Sequence, residues 1–89
     1  MTYSVIFSRR AKKFIDKLQK GEKLRIKEGV DQLRENPRRI GKPLLGPFKT
    51  RNVWALRVGD FRILYVVFDD ERNIFIVNIG RRKHIYKVA

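Results

Sequence analysis

Two periods alternate along this 89-residue chain. Ala11, Phe14, Ile15 and Leu18 recur at i, i+3, i+4 and i+7, one apolar stripe of a helix. Ser8 stands where an N-cap belongs, so a helix is predicted from Arg9 until Gly21 ends it. Ile26, Gly29, Val30 and Leu33 repeat the spacing in a second helix from about Glu22 to Glu35, with Gly29 as a small contact slot. Pro37 stops that helix after Asn36, because proline carries no backbone donor. A short Gly-containing link between the two makes them an antiparallel helical hairpin.

Elsewhere the pattern is that of strands. Thr2 to Phe7 is predicted as the first. After a Gly/Pro-containing loop, "RRIGKPLLGP" (Arg38 to Pro47), three more follow: about Lys49–Val58, Phe61–Phe68 and Ile74–Ile79, the last two joined by the turn "DDERN". The order β-α-α-β-β-β predicts an α+β domain, with two N-terminal helices packed on one face of a mainly antiparallel sheet. One domain, residues 1–89, is expected at this length.

The stretch "LRVGDFRILY" carries the sharpest local prediction. Gly59-Asp60 suits a two-residue primed turn, which matches strand twist. Val58–Phe61, Leu56–Ile63 and Trp54–Tyr65 then share an apolar face that should meet the helices. The other face carries Arg57–Arg62, Ala55–Leu64 and Val53–Val66, with Arg51 and Lys49 further back along the same strand. A slip of one residue would turn Trp54 outward and arginines into the core, so the pattern itself defends the register.

Charge then changes the picture. Twenty-two Lys+Arg stand against nine Asp+Glu, a formal net charge of +13. Such an excess strains a small compact state and favours polyanionic partners: nucleic acid, an acidic protein or an anionic membrane surface. Heat-adapted surfaces are also charge-rich, but with both signs. Directly opposed like charges destabilise a sheet, so the Arg57–Arg62 pair needs a reason. Two solvated surface arginines, paired with Asp60 or another carboxylate, are the plain alternative. No acid shares their face of the hairpin, and paired guanidinium groups bind phosphate in a planar, bidentate way. They can also stabilise charge that develops on a phosphate. The tail adds Arg81, Arg82 and Lys83, then Tyr86.

Other chemistries recede. With no cysteine and only His84, a thiolate nucleophile, a disulfide or a His-based metal cluster has no residues to build it. In "MTYSVIFSRR" the charges follow the apolar stretch, the reverse of a signal peptide, and no apolar run is long enough to span a membrane. A cytoplasmic protein without metal, other cofactor or small-molecule ligand is expected.

The N-terminal strand, the two amphipathic helices, "LRVGDFRILYVV" and "IGRRKHIY" together resemble the RelE family of toxins, within the wider RelE/ParE superfamily of toxin–antitoxin pairs. The likeness runs over nearly the whole chain. It implies a ribosome-dependent endoribonuclease that cuts mRNA in the ribosomal A site, without a metal, by attack of the ribose 2′-oxygen on the adjacent phosphate. By motif position Arg62 would stabilise the phosphate, Arg82 assist the leaving group and Tyr86 act as base, with Arg57 the basic residue of the preceding strand. Lys49, Arg51, Arg81 and Lys83 are the expected RNA contacts. A cationic cluster would lower the tyrosine pKa and so favour the phenolate. Two positions depart from the pattern: Ala55 stands where a relative has a second strand lysine, and Arg81 where many relatives have histidine. The resemblance also implies a RelB-like antitoxin, the ribosome and mRNA as partners. A ParE-like inhibitor of DNA gyrase would share the fold without needing the Arg57, Arg62, Arg82 and Tyr86 set. A non-catalytic basic RNA- or ribosome-binding module is the third reading.

Overall fold

The structure, a computed structural model, describes residues 2–44 and 52–81. Its elements run β1 (Ser4–Phe7), α1 (Arg9–Asp16), α2 (Lys20–Glu35), α3 (Pro37–Ile40), β2 (Lys42–Pro43), β3 (Trp54–Val58), β4 (Phe61–Phe68) and β5 (Asn73–Arg81). The strands form one sheet in the order β1-β5-β4-β3-β2. Only β1 with β5 is parallel among these pairs. The fold is the expected α+β arrangement of helices on a mainly antiparallel sheet.

The helical stripes and the apolar hairpin face meet as their spacing predicts. Ala11 from α1 and Ile26, Val30 and Leu33 from α2 pack with Leu56, Phe61, Ile63 and Tyr65. Gly29 lets α2 approach β3 closely, since a Cβ there would lie 2.7 Å from Val58 Cγ2. A smaller apolar cluster, Val53 and Leu64 with Ala55, Val66 and Val77, lies on the opposite face.

Three departures from the sequence expectation bear on the site, each for a local reason. Helix α1 closes at Asp16 and does not reach Gly21, which lies inside α2. The Gln19–Glu22 capping box starts α2 early, by satisfying free amides at its first turn. The segment after Asn36, expected to be a loop, begins as a helical turn and a short strand. Pro37 ends α2 but suits the first position of α3, where its missing N–H costs nothing. Tyr65 then anchors this segment: its buried hydroxyl donates to the Pro37 carbonyl at 2.6 Å. A Cβ on Gly41 would fall 1.8 Å from that hydroxyl oxygen.

The third difference matters most for the site. Strand β5 pairs Leu64 with Asn78 but Tyr65 with Ile76, so Val77 is an extra residue, a β-bulge. Ile74, Ile76 and Ile79 all reach the helix-side core, which strict alternation would forbid. Ser8 holds the bulge in place. Its hydroxyl donates to the Val77 carbonyl at 2.7 Å and accepts from the Ala11 amide at 3.1 Å, so the predicted N-cap also ties α1 to β5.

Candidate active site

The hairpin register is the one the sequence predicts, from Trp54↔Tyr65 through Arg57↔Arg62 to Val58↔Phe61. Gly59 has φ +57°, and Asp60 is not among the residues of positive φ, so the glycine takes the one strained turn position. Arg57 and Arg62 therefore stand directly opposed on the face away from the helices. Among the described residues neither pairs with a carboxylate. The recorded polar contact of Arg62 is Nη1 donating to the Phe61 carbonyl at 3.3 Å, which leaves most of its donors unused.

The neighbouring strands open space around them. On one side the bulge brings Gly80 opposite Arg62, so no side chain crowds that guanidinium from β5. On the other side Lys42 is paired with Ala55. Paired residues of an antiparallel ladder project to one face, so Lys42 joins the arginines. Lys42, Arg57 and Arg62, with Ile40, Leu44 and Ala55, line a cleft of about 410 Å³. Among the described residues it is lined by three cations and no acid.

Arg81 is placed elsewhere. The same bulge pairs it with Phe61, on the helix side of the sheet and away from the Arg57–Arg62 face. Its guanidinium lies 4.9 Å from the Phe61 ring centroid and donates to Glu22 Oε2 at 3.2 Å. The Gln19 amide first, and then Arg81, hold the Glu22 carboxyl below the ordinary carboxylate range. A second cleft of about 410 Å³ lies here, around the turn, with Arg25, Arg57 and Arg81 beside Glu22 and Asp60. Of its cations, Arg81 is ion-paired with Glu22.

Of the residues expected to act, then, Arg57 and Arg62 are brought together and Arg81 is turned away. Arg82, Tyr86, Lys49, Arg51 and Lys83 lie outside the described residues. Lys42 belongs to the cleft although the sequence marks it only as one of several basic residues before a proline. Its pairing with Ala55 is the signal, and pairing is not readable from a Gly/Pro-rich segment. Among the described residues no three His, Asp or Glu side chains gather as a metal site, and no helix is long and apolar enough to cross a membrane.

Residues 5–86 match the family model described as the ParE toxin of the type II toxin–antitoxin system parDE. A putative toxin RelE1 of Methanocaldococcus jannaschii is 33% identical over 88 residues, covering 98% of both chains. The chain belongs to the RelE family of type II toxins, within the RelE/ParE superfamily. Solved structures of RelE complexes agree. A chain of the toxin–antitoxin complex RelBE2 from Mycobacterium tuberculosis superposes with a TM-score of 0.82 at 26% identity, over 92% of this chain and 100% of that one. A chain of the archaeal RelE–RelB complex from Pyrococcus horikoshii gives 0.74 at 25% identity, over 94% and 99%. In this RelE-family chain the cationic cleft lies on the sheet face that the two long helices leave uncovered.

Proposed function

We propose that this RelE-family toxin is a ribosome-dependent endoribonuclease that cleaves mRNA in the ribosomal A site and so inhibits translation. The observation that carries the reading is the opposed Arg57–Arg62 pair, set in a cleft with Lys42 and, among the described residues, no carboxylate. Two guanidinium groups without an internal anion favour an external one, and a phosphodiester fits their planar donor pattern.

In the proposed reaction the ribose 2′-oxygen attacks the adjacent phosphorus as a base takes its proton. The bond from phosphorus to the 5′-oxygen breaks, and that oxygen gains a proton. The products are a 2′,3′-cyclic phosphate and a 5′-hydroxyl. Arg62, helped by Arg57, stabilises the charge that builds on the non-bridging oxygens, where preorganised donors have their largest effect. Tyr86 as base and Arg82 as donor to the leaving oxygen are the roles that the family resemblance assigns. Lys49, Arg51 and Lys83 would hold flanking phosphates. Arg81, spent on Glu22, has a weaker claim to RNA. A RelB-like antitoxin is the proposed partner, as the M. tuberculosis and P. horikoshii relatives come from complexes of toxin with antitoxin.

The matching family model is described as ParE, which favours a second reading, inhibition of DNA gyrase. Primer-extension mapping of mRNA in a translating extract, with and without ribosomes, separates the two when run beside a gyrase supercoiling assay. Codon-phased cuts that require ribosomes and vanish with Arg62→Ala and Tyr86→Phe support the nuclease. Blocked supercoiling by folded toxin, with intact mRNA, overturns it in favour of gyrase.

A further inference from the structure

We infer that Lys42, carried on β2, supplies the cation that the hairpin's first strand lacks at Ala55, and that it binds the same phosphodiester as Arg57 and Arg62. The inference rests on reading this face as an RNA site.

Three observations place Lys42 there. Lys42 is the direct ladder partner of Ala55. Paired Cβ atoms lie about 5 Å apart, well within the reach of a lysine stem. Ala55 has only a methyl group, so the stem can cross it while the ammonium stays in water. Arg57 is two residues along β3 from Ala55, about 7 Å on the same face, with Arg62 opposite it. The three cations thus border one cleft.

The segment that carries Lys42 is also fixed. The Leu44 amide donates to the Val53 carbonyl at 2.9 Å, just beyond the Lys42–Ala55 pair. At its start, the Tyr65 hydroxyl holds the Pro37 carbonyl, and Gly41 fits only because it lacks a Cβ. Lys42 is itself exposed, and among the described residues no carboxylate pairs with it. A lysine at this place acts as a mobile point charge beside two rigid guanidinium forks, which suits one phosphate approached from three sides.

The test compares Lys42→Met with Lys12→Met, which removes the same charge from exposed α1 on the other side of the sheet. Binding of a short fluorescein-labelled single-stranded RNA is titrated by anisotropy across a salt series, and ribosomal cleavage is measured in the extract. Lys42→Met should reduce the slope of log affinity against log salt by about 0.7, the value of one phosphate contact on a single strand. Cleavage should slow about tenfold or more, and the double variant Lys42→Met/Ala55→Lys, folded by circular dichroism, should recover it. A Lys42→Met slope and rate equal to those of Lys12→Met overturn the inference, as does a folded double variant that recovers neither. If the wild-type chain does not cleave, the nuclease reading falls, and the slope and its recovery in the double variant still decide whether Lys42 binds phosphate.

Discussion

Arg38 and Arg62 flank the same strands, yet their surroundings are opposite. Arg38 is ion-paired with Asp69, with Nε also 3.4 Å from Oδ1. Its guanidinium lies 5.5 Å from the Trp54 ring centroid. The Tyr3 hydroxyl donates to the same carboxylate at 3.2 Å, and the Tyr3 backbone is in turn held by Arg34. One cation thereby ties α3, β3, the β4–β5 turn and the N-terminal strand together. Arg62 has another arginine opposite it, a glycine beside it and no carboxylate partner among the described residues. The first arrangement offsets its charge inside the fold. The second leaves a repulsive pair standing among the described residues. In a chain of net charge +13, the unpaired cations say more about function than the total does.

The largest test of this contrast is chemical. Arg62→Ala should lower ribosomal cleavage by about 10²–10³-fold, the usual effect of deleting one preorganised transition-state donor. Its melting temperature should hold or rise, because the like-charge opposition is relieved. Arg38→Ala should do the reverse, lowering the melting temperature with cleavage near that of the wild type at a temperature where both are folded.

Next in size is Gly41→Ala, which breaks the contrast by damaging both regions at once. A methyl group cannot share space with the Tyr65 hydroxyl, so overpacking should cost about 1–3 kcal/mol or more in a denaturant titration. Because Gly41 directly precedes Lys42, RNA binding should weaken as well. Tyr65→Phe separates the effects. It leaves the Pro37 carbonyl without its buried donor, at about 1–3 kcal/mol, and opens no clash.

Ser8→Ala should cost about 1–2 kcal/mol through the lost N-cap and the lost hold on the Val77 carbonyl. It also loosens the bulge that faces Gly80 toward Arg62 and Arg81 toward Glu22. Amide exchange of Asn78, Ile79 and Gly80 should therefore rise more than that of the β3–β4 turn.

The smallest expected effect is on acid stability. Hydrogen bonding from Arg38 is the main cause that holds the Asp69 carboxyl below its ordinary range, and the Gln19 amide does the same for Glu22. A carboxyl depressed in the folded state stabilises fully above its unfolded pKa, about 4, and this is lost as pH falls through the folded value. The denaturant midpoint should therefore drop between about pH 5 and pH 3, and drop less in Asp69→Asn. An equal slope in Asp69→Asn would contradict the assignment of paired charge to the Arg38 end.

Where the sequence is regular it is legible. The hairpin register, the core face of α2 with its Gly29 slot and the Ser8 cap follow from apolar spacing, one Gly-Asp turn and a capping hydroxyl, and with them the opposition of Arg57 and Arg62. The bulge is not legible. "NIFIVNIG" reads as an unbroken strand, and only the pairing with β4 and the hydrogen bond from Ser8 reveal the extra residue. The side on which Arg81 falls depends on that one residue, and so does the glycine beside Arg62. Lys42 is hidden for a related reason. A strand of two residues between Gly41 and Leu44 has no period to read, and its place is set by a tyrosine hydroxyl far along the chain.

One paired measurement bears most directly on the central claim that the unpaired arginine face, not the paired one, carries the activity. Codon-phased mRNA cleavage and the melting temperature would be recorded on the same preparations of wild type, Arg62→Ala and Arg38→Ala. The account predicts that Arg62→Ala loses cleavage and keeps its melting temperature, while Arg38→Ala keeps cleavage and melts lower. Full cleavage by Arg62→Ala, or equal loss of cleavage in both variants at unchanged melting temperature, would contradict it.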